Sequence, residues 1–65
     1  SGNASVKLNS DKTVDKITVV TISGQKIATH YKSNIIDVSR LANGIYFINI
    51  EVDHQIVTKK LIVKK

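Results

Sequence analysis

The stretch Asp37-Val-Ser-Arg-Leu-Ala-Asn-Gly-Ile-Tyr-Phe-Ile-Asn-Ile50 constrains this chain more than any other. Val38 and Leu41 are apolar anchors ahead of Asn43-Gly44, a pair that tolerates positive φ at low cost and so marks a turn. Beyond it Tyr46, Ile48 and Ile50 alternate with their neighbours, the period of a strand with one buried face. The alternation resumes after Asp53-His54, which reads as a two-residue hairpin loop. That loop pairs Val52 with Gln55, Ile50 with Val57 and Tyr46 with Leu61. One face then carries Tyr46, Ile48, Ile50, Val52, Val57, Leu61 and Val63, interrupted by Lys59. The other carries Ile45, Phe47, Ile56 and Ile62 among Asn49, Glu51, Thr58 and Lys60. The first face is the better core. The second is more apolar than a solvent face requires, and it reads as a contact face or as one covered by a loop or neighbouring strand.

The rest of the chain has the same character. Val, Ile and Thr supply 23 of 65 residues, and these side chains pack well on pleated sheets while losing rotamer freedom in helices. No apolar stripe with helical spacing runs longer than about two turns. Ala4–Asn9 reads as a short edge strand, Ser10–Thr13 as a turn and Val14–Ile22 as a strand. Ile17 and Val19 share a face there, and a bulge near Val20-Thr21 is expected to bring Ile22 into phase. Ser23-Gly24 reads as a tight hairpin, followed by a strand carrying Ile27, Thr29 and Tyr31. Lys32–Asn34 is a turn, and Ile35–Val38 is a short strand with Ile36 and Val38 on one face. Ser39 is expected to cap one helical turn that points Leu41 into the core. The fold class is therefore all-β, of about 6–7 short antiparallel strands.

A single domain of this size buries only about 60% of its unfolded surface. With no Cys it has neither a disulfide nor a thiolate metal site to add stability. The net charge is +5, and Lys59, Lys60, Lys64 and Lys65 crowd the C-terminal end. Such a cluster is either a solvated tail or an electrostatic handle for an acidic partner or an anionic glycolipid. Nucleic acid fits poorly, because one Phe and no Trp make a weak stacking platform. No run of apolar residues is long enough to span a membrane as a helix.

Catalytic chemistry is not legible. Asp11 and Asp15 flank a turn, His54 reads as a hairpin residue and His30 as an exposed strand end. No third ligand stands at a spacing suited to zinc, and the three glycines are isolated rather than gathered in a phosphate loop. The expectation is a non-enzymatic binding or interaction module with no cofactor and no metal. A carbohydrate-binding module of a secreted enzyme ranks below this, since Tyr31, Tyr46 and Phe47 are the only aromatics. A Pro-free sheet edge beside the second apolar face also raises weak homodimer formation.

Three runs together carry a resemblance: Ile17-Thr-Val-Val-Thr-Ile-Ser-Gly-Gln-Lys-Ile27, Ile36-Asp-Val-Ser-Arg-Leu-Ala-Asn-Gly-Ile-Tyr-Phe-Ile-Asn-Ile50 and Thr58-Lys-Lys-Leu-Ile-Val-Lys64. They resemble the C-terminal sorting domain of the type IX secretion system, type A, over about residues 14–65. The resemblance implies an immunoglobulin-like β-sandwich that directs a cargo from the periplasm across the outer membrane of Gram-negative bacteria of the Bacteroidetes type. It implies a translocon, a shuttle protein and a surface sortase as partners, and a larger cargo as the covalent one. Location would be secreted or at the cell surface. Residue by residue, Gly24 matches the hairpin, Leu41, Gly44 and Tyr46 the turn-strand core, and Lys59, Lys60 and Lys64 the basic end. Tyr46 is expected to lie largely buried as a tyrosine corner, with its hydroxyl bonded to backbone a few residues upstream. The family often opens with Pro-Asn-Pro, and this chain has no Pro. Either the chain begins after that segment or this member has diverged; residues 1–3 read as a cloning remnant or linker, and 4–65 as the sorting domain, with or without that first segment.

Overall fold

A computed structural model describes residues 5–8 and 11–64; the readings of residues 1–4, Asn9, Ser10 and Lys65 lie outside these. The strands are β1 (Ser5–Lys7), β2 (Lys16–Thr21), β3 (Lys26–Tyr31), β4 (Ile35–Asp37), β5 (Gly44–Val52) and β6 (Gln55–Val63). They form a four-stranded antiparallel sheet in the order β3-β2-β5-β6 and a two-stranded antiparallel sheet, β1-β4. No helix occurs among the described residues. The all-β reading holds, with six strands.

The β5–β6 hairpin has the register that its alternation requires. Val52 pairs with Gln55, Ile50 with Val57 and Tyr46 with Leu61. Asp53 and His54 both take positive φ, 53° and 63°, the geometry that matches the twist of a two-residue hairpin even without Gly. Val14, Ile17, Val19, Ile48, Ile50, Leu61 and Val63 meet Ile36 and Val38 in one core. Val6 and Leu8 of the β1 segment, Leu41 and Tyr46 pack around it.

At the second hairpin, Gly24 N–H donates to the Thr21 carbonyl and Thr21 N–H to the Gln25 carbonyl, each at 2.9 Å. Gly24 stands at φ 94°, and a Cβ there would meet nothing within 4 Å. The position thus asks for glycine through its backbone angle alone.

Four expectations need correction. The bulge exists between Val19 and Val20, but its extra residue is Ile27 on β3, while β2 runs in regular register with β5. Ile22 is therefore not restored to the core; it sits in the turn, 72% exposed. On β3 the bulge changes the parity, so Ala28 and His30 face inward opposite Val19 and Ile17, and Thr29 and Tyr31 face out. His30 is half-buried rather than exposed, and its Nε2 is buried with no hydrogen-bond partner among the described residues. Ser39 does not cap a helical turn. Its N–H instead donates to Asp37 Oδ1 at 2.9 Å, and Leu41 N–H closes a turn on the Val38 carbonyl at 3.0 Å. The short polar side chain of Asp37 satisfies the backbone locally, which competes with helix.

The tyrosine corner is present. Tyr46 O–H donates to the Ala42 carbonyl at 2.7 Å, although Tyr46 is only partly buried. A second tie joins the sheets. Asn34 Oδ1 accepts from Val14 N–H at 2.8 Å, Asn34 Nδ2 donates to the Lys12 carbonyl at 3.0 Å, and the Asn34 carbonyl accepts from Leu8 N–H at 2.6 Å. One side chain and its peptide thus fasten the β1 end and the β2 approach to β4. Asn34→Ala leaves the Val14 donor without that partner, so it is expected to cost about 1–3 kcal/mol. Tyr46→Phe loses one bond at the surface, and about 1 kcal/mol is expected. Urea unfolding followed by circular dichroism checks both.

Two carboxylates tie loops. Lys32 Nζ donates to Asp15 Oδ1 at 2.9 Å and holds that carboxyl below its ordinary 3.8. The Ser39 backbone N–H, followed by its hydroxyl, does the same for Asp37. Both folded-state pKa values lie below the unfolded ones. The stability they contribute is therefore present above about pH 4 and is lost as pH falls through the lowered values. Thermal midpoints should fall as pH drops below about 4 through the loss of these two contributions. Asp15→Asn combined with Asp37→Ala should make that fall shallower, and an unchanged slope would count against the assignment.

Candidate functional site

The two-stranded sheet covers part of the inner face of the four-stranded sheet and leaves the outer face uncovered. Alternation places the outward residues in rows across the strands. Tyr31, Lys16, Glu51 and Ile56 form the first row, and Thr29, Thr18, Asn49 and Thr58 the second. Lys26, Val20, Phe47 and Lys60 form the third, and Ile45 and Ile62 close the face.

Chemistry is graded along these rows. In the first, Lys16 Nζ lies 3.8 Å from Glu51 and 5.9 Å from the Tyr31 ring centroid. In the second, Thr58 Oγ1 donates to Asn49 Oδ1 at 2.8 Å, and Thr18 is only 6% exposed between its neighbours. The far end is different. Ile45 is 46% and Ile62 62% exposed, with Phe47 half-buried beside them. No loop or strand among the described residues covers this end.

The charges divide in the same direction. Lys12 pairs with Asp53, Lys16 with Glu51 and Lys32 with Asp15. These pairs are exposed and add little stability, but they spend the acids at the Asp53-His54 end. Among the described residues no carboxylate lies within ion-pair distance of Lys26, Lys60 or Lys64. The uncompensated charge therefore stands beside the apolar end.

The sequence-predicted residues do not all meet. Lys60 joins Ile45, Phe47 and Ile62 on the outer face, and Lys64 is exposed just past the strand. Lys59 turns to the inner face, opposite Ile48. Consecutive strand residues point to opposite faces, so Lys59 and Lys60 cannot serve one surface. Lys65 lies outside the described residues. Ile56 lies opposite Glu51 at the other end, about 20 Å from Ile62 along the strand. Gly24, Leu41, Gly44 and Tyr46 serve the hairpin, the core margin and the corner. Lys26 and Val20 were missed by sequence reasoning, because only the β3 bulge sets Lys26 opposite Val20.

No group of His, Cys, Asp or Glu among the described residues could hold a metal ion. No helix is long and apolar enough to cross a membrane.

Against known families, residues 1–64 match the model described as a secretion system C-terminal sorting domain. No curated protein and no solved structure matches the chain.

The parity of β6 can be tested directly. Ile62→Thr removes an exposed side chain and is expected to change stability by no more than about 0.5 kcal/mol. Leu61→Ala, one residue away and buried, is expected to cost about 2–5 kcal/mol. Equal losses in chemical denaturation would contradict the register.

Proposed function

The chain belongs to the secretion system C-terminal sorting domain family, and from that premise we propose that its export signal is read at the apolar, basic end of the outer sheet face. The family sorts cargo of the type IX secretion system, and its tail marks proteins carried across the outer membrane to the cell surface or beyond. The domain is the C-terminal part of such a cargo, and its family is one of sorting signals rather than catalysts.

The single observation that supports the site is the coincidence of Ile45, Phe47 and Ile62 with Lys60 and Lys64, uncovered and without acidic partners among the described residues. A signal shared by many cargos must be displayed by the folded domain and not by the cargo. An apolar patch with a rim of unpaired ammonium groups offers desolvation to hold a partner and charge to guide it. The complementary surface on the secretion machinery, translocon or shuttle, is then apolar with an acidic rim. Removal of the domain by a surface sortase follows export, cutting the chain ahead of the sandwich. The same patch is where two free copies would pair weakly before the machinery takes them up.

Truncating residues 59–65 would strip Leu61 and Val63 from the core, so substitution is the cleaner test. Two cargo fusions of equal net charge are compared in a bacterium with a type IX system. One carries Lys60→Gln and Lys64→Gln, the other Lys12→Gln and Lys32→Gln. The first is expected to lower surface display roughly tenfold, equivalent to ~1.4 kcal/mol of recognition, with cargo retained in the periplasm. The second should change it less than about twofold. Equal display by the two fusions would reject the site.

A further inference from the structure

The two sheets do not match in width. Four strands on one side face two on the other, and the mismatch leaves a groove of about 340 Å³ on the inner side. Lys7 and Leu8 of the β1 segment, Ile50 and Val52 of β5, Val57 and Lys59 of β6, and Val14 line it. The size is at the lower end of ligand sites. Its walls are mostly aliphatic, yet Val57, on the face that should be core, is 43% exposed.

The edge of β1 supplies the second element. Leu8 N–H donates to the Asn34 carbonyl, in line with the register that pairs Val6 with Ile36 and Lys7 with Ile35. In an antiparallel ladder alternate residues exchange both hydrogen bonds with the partner strand. Leu8 and Val6 therefore direct their peptide groups to β4, and Lys7 directs its N–H and C=O the other way. That free edge is not taken up by any strand among the described residues. Lys7 and Leu8 border the groove, so the open peptide groups run along it.

Lys59 supplies the third. It is the charged residue on the inner face of β6, in the row of Ala28, Val19 and Ile48. No carboxylate among the described residues lies within ion-pair distance of it.

We propose that this groove is a strand-docking site, which takes an extended segment of a partner protein as a third strand beside β1. The segment bonds to the Lys7 peptide groups, seats alternate β-branched side chains on Val52 and Val57, and presents one carboxylate to Lys59. Backbone pairing supplies affinity and the alternate side chains supply selection, as in other cases of strand addition to a sheet edge. An acyl chain would use the aliphatic walls but leave the Lys7 peptide groups unused. The site is on the opposite side of the sheet from the export surface proposed above and does not depend on it.

The test uses the isotope-labelled 65-residue chain and three pools of capped octapeptides. β-Branched residues are randomised at alternate positions, and the central residue is fixed as Glu, Ser or Lys. Amide shifts in nuclear magnetic resonance are expected to move at Lys7, Val57 and Lys59, with the Glu pool binding at least about fivefold more tightly than the Lys pool. Lys59→Glu should reverse that order while its spectrum keeps the dispersion of the folded chain. The proposal is overturned if no pool moves these amides at millimolar peptide. It is also overturned if the pools bind alike, if dodecanoate alone fills the groove, or if the shifts follow chain concentration because a second copy docks there. An inward lysine that only guards the β6 edge against aggregation predicts the first of those results, with Lys59→Val self-associating.

Discussion

Everything else in this domain depends on the register of the β5–β6 hairpin. Strand side chains alternate with a period of two, so with β5 held against β2 a slip of β6 by one residue would turn Leu61 and Val63 out to solvent. It would bring Lys60 and Ile62 into the core. Asp53 and His54 hold the register by accepting positive φ, at some backbone cost, in order to keep the turn at two residues. The same register that builds the core also assembles the outward rows. Fold and display surface are thus two faces of one pairing.

The second determinant is shortage. A chain of 65 residues without disulfides cannot cover both faces of a four-stranded sheet. It covers one, and that incompletely, with two short strands fastened by Asn34. An uncovered outer face with an apolar, basic end and a groove beside β1 remain. In a free-standing domain such surfaces would be liabilities. In a sorting domain whose task is to be recognised, they are the surfaces at which we propose recognition takes place. Three of the five acids, Asp15, Glu51 and Asp53, stand near the Asp53-His54 turn, away from the end where Lys60 and Lys64 stand.

Local patterns read well from sequence where a single physical rule decides them. The two-residue hairpin, the Gly24 turn and the Tyr46 corner each follow from spacing or from one residue's backbone freedom. The errors arise where tertiary contacts decide. Nothing in the order Gly24-Gln-Lys-Ile27 says which strand carries the bulge, and the answer reverses the faces of β3. A local turn replaced the expected Ser39 cap because the Asp37 carboxylate accepts from the N–H of Ser39 itself, two residues downstream. Asn34 read as a turn residue, yet it joins two segments about twenty residues apart in sequence. For the site, Ile45, Phe47 and Ile62 could be found from alternation alone. The division of Lys59 from Lys60 was implicit in the same alternation, but their adjacency in sequence hid it. Lys26 needed the bulge, and the groove needed the count of strands on each side.

The central claim is that the signal is displayed at the Ile45–Ile62 end of the outer face and not at its Tyr31–Ile56 end. Photo-crosslinking in living cells tests this most directly. A photoreactive residue is placed in an exported cargo at Phe47, Ile62, Tyr31 or Ile56 in turn. The account predicts adducts with secretion-machinery proteins from Phe47 and Ile62 and none from Tyr31 and Ile56. Adducts from the Tyr31 and Ile56 positions, with Phe47 and Ile62 silent, would contradict it.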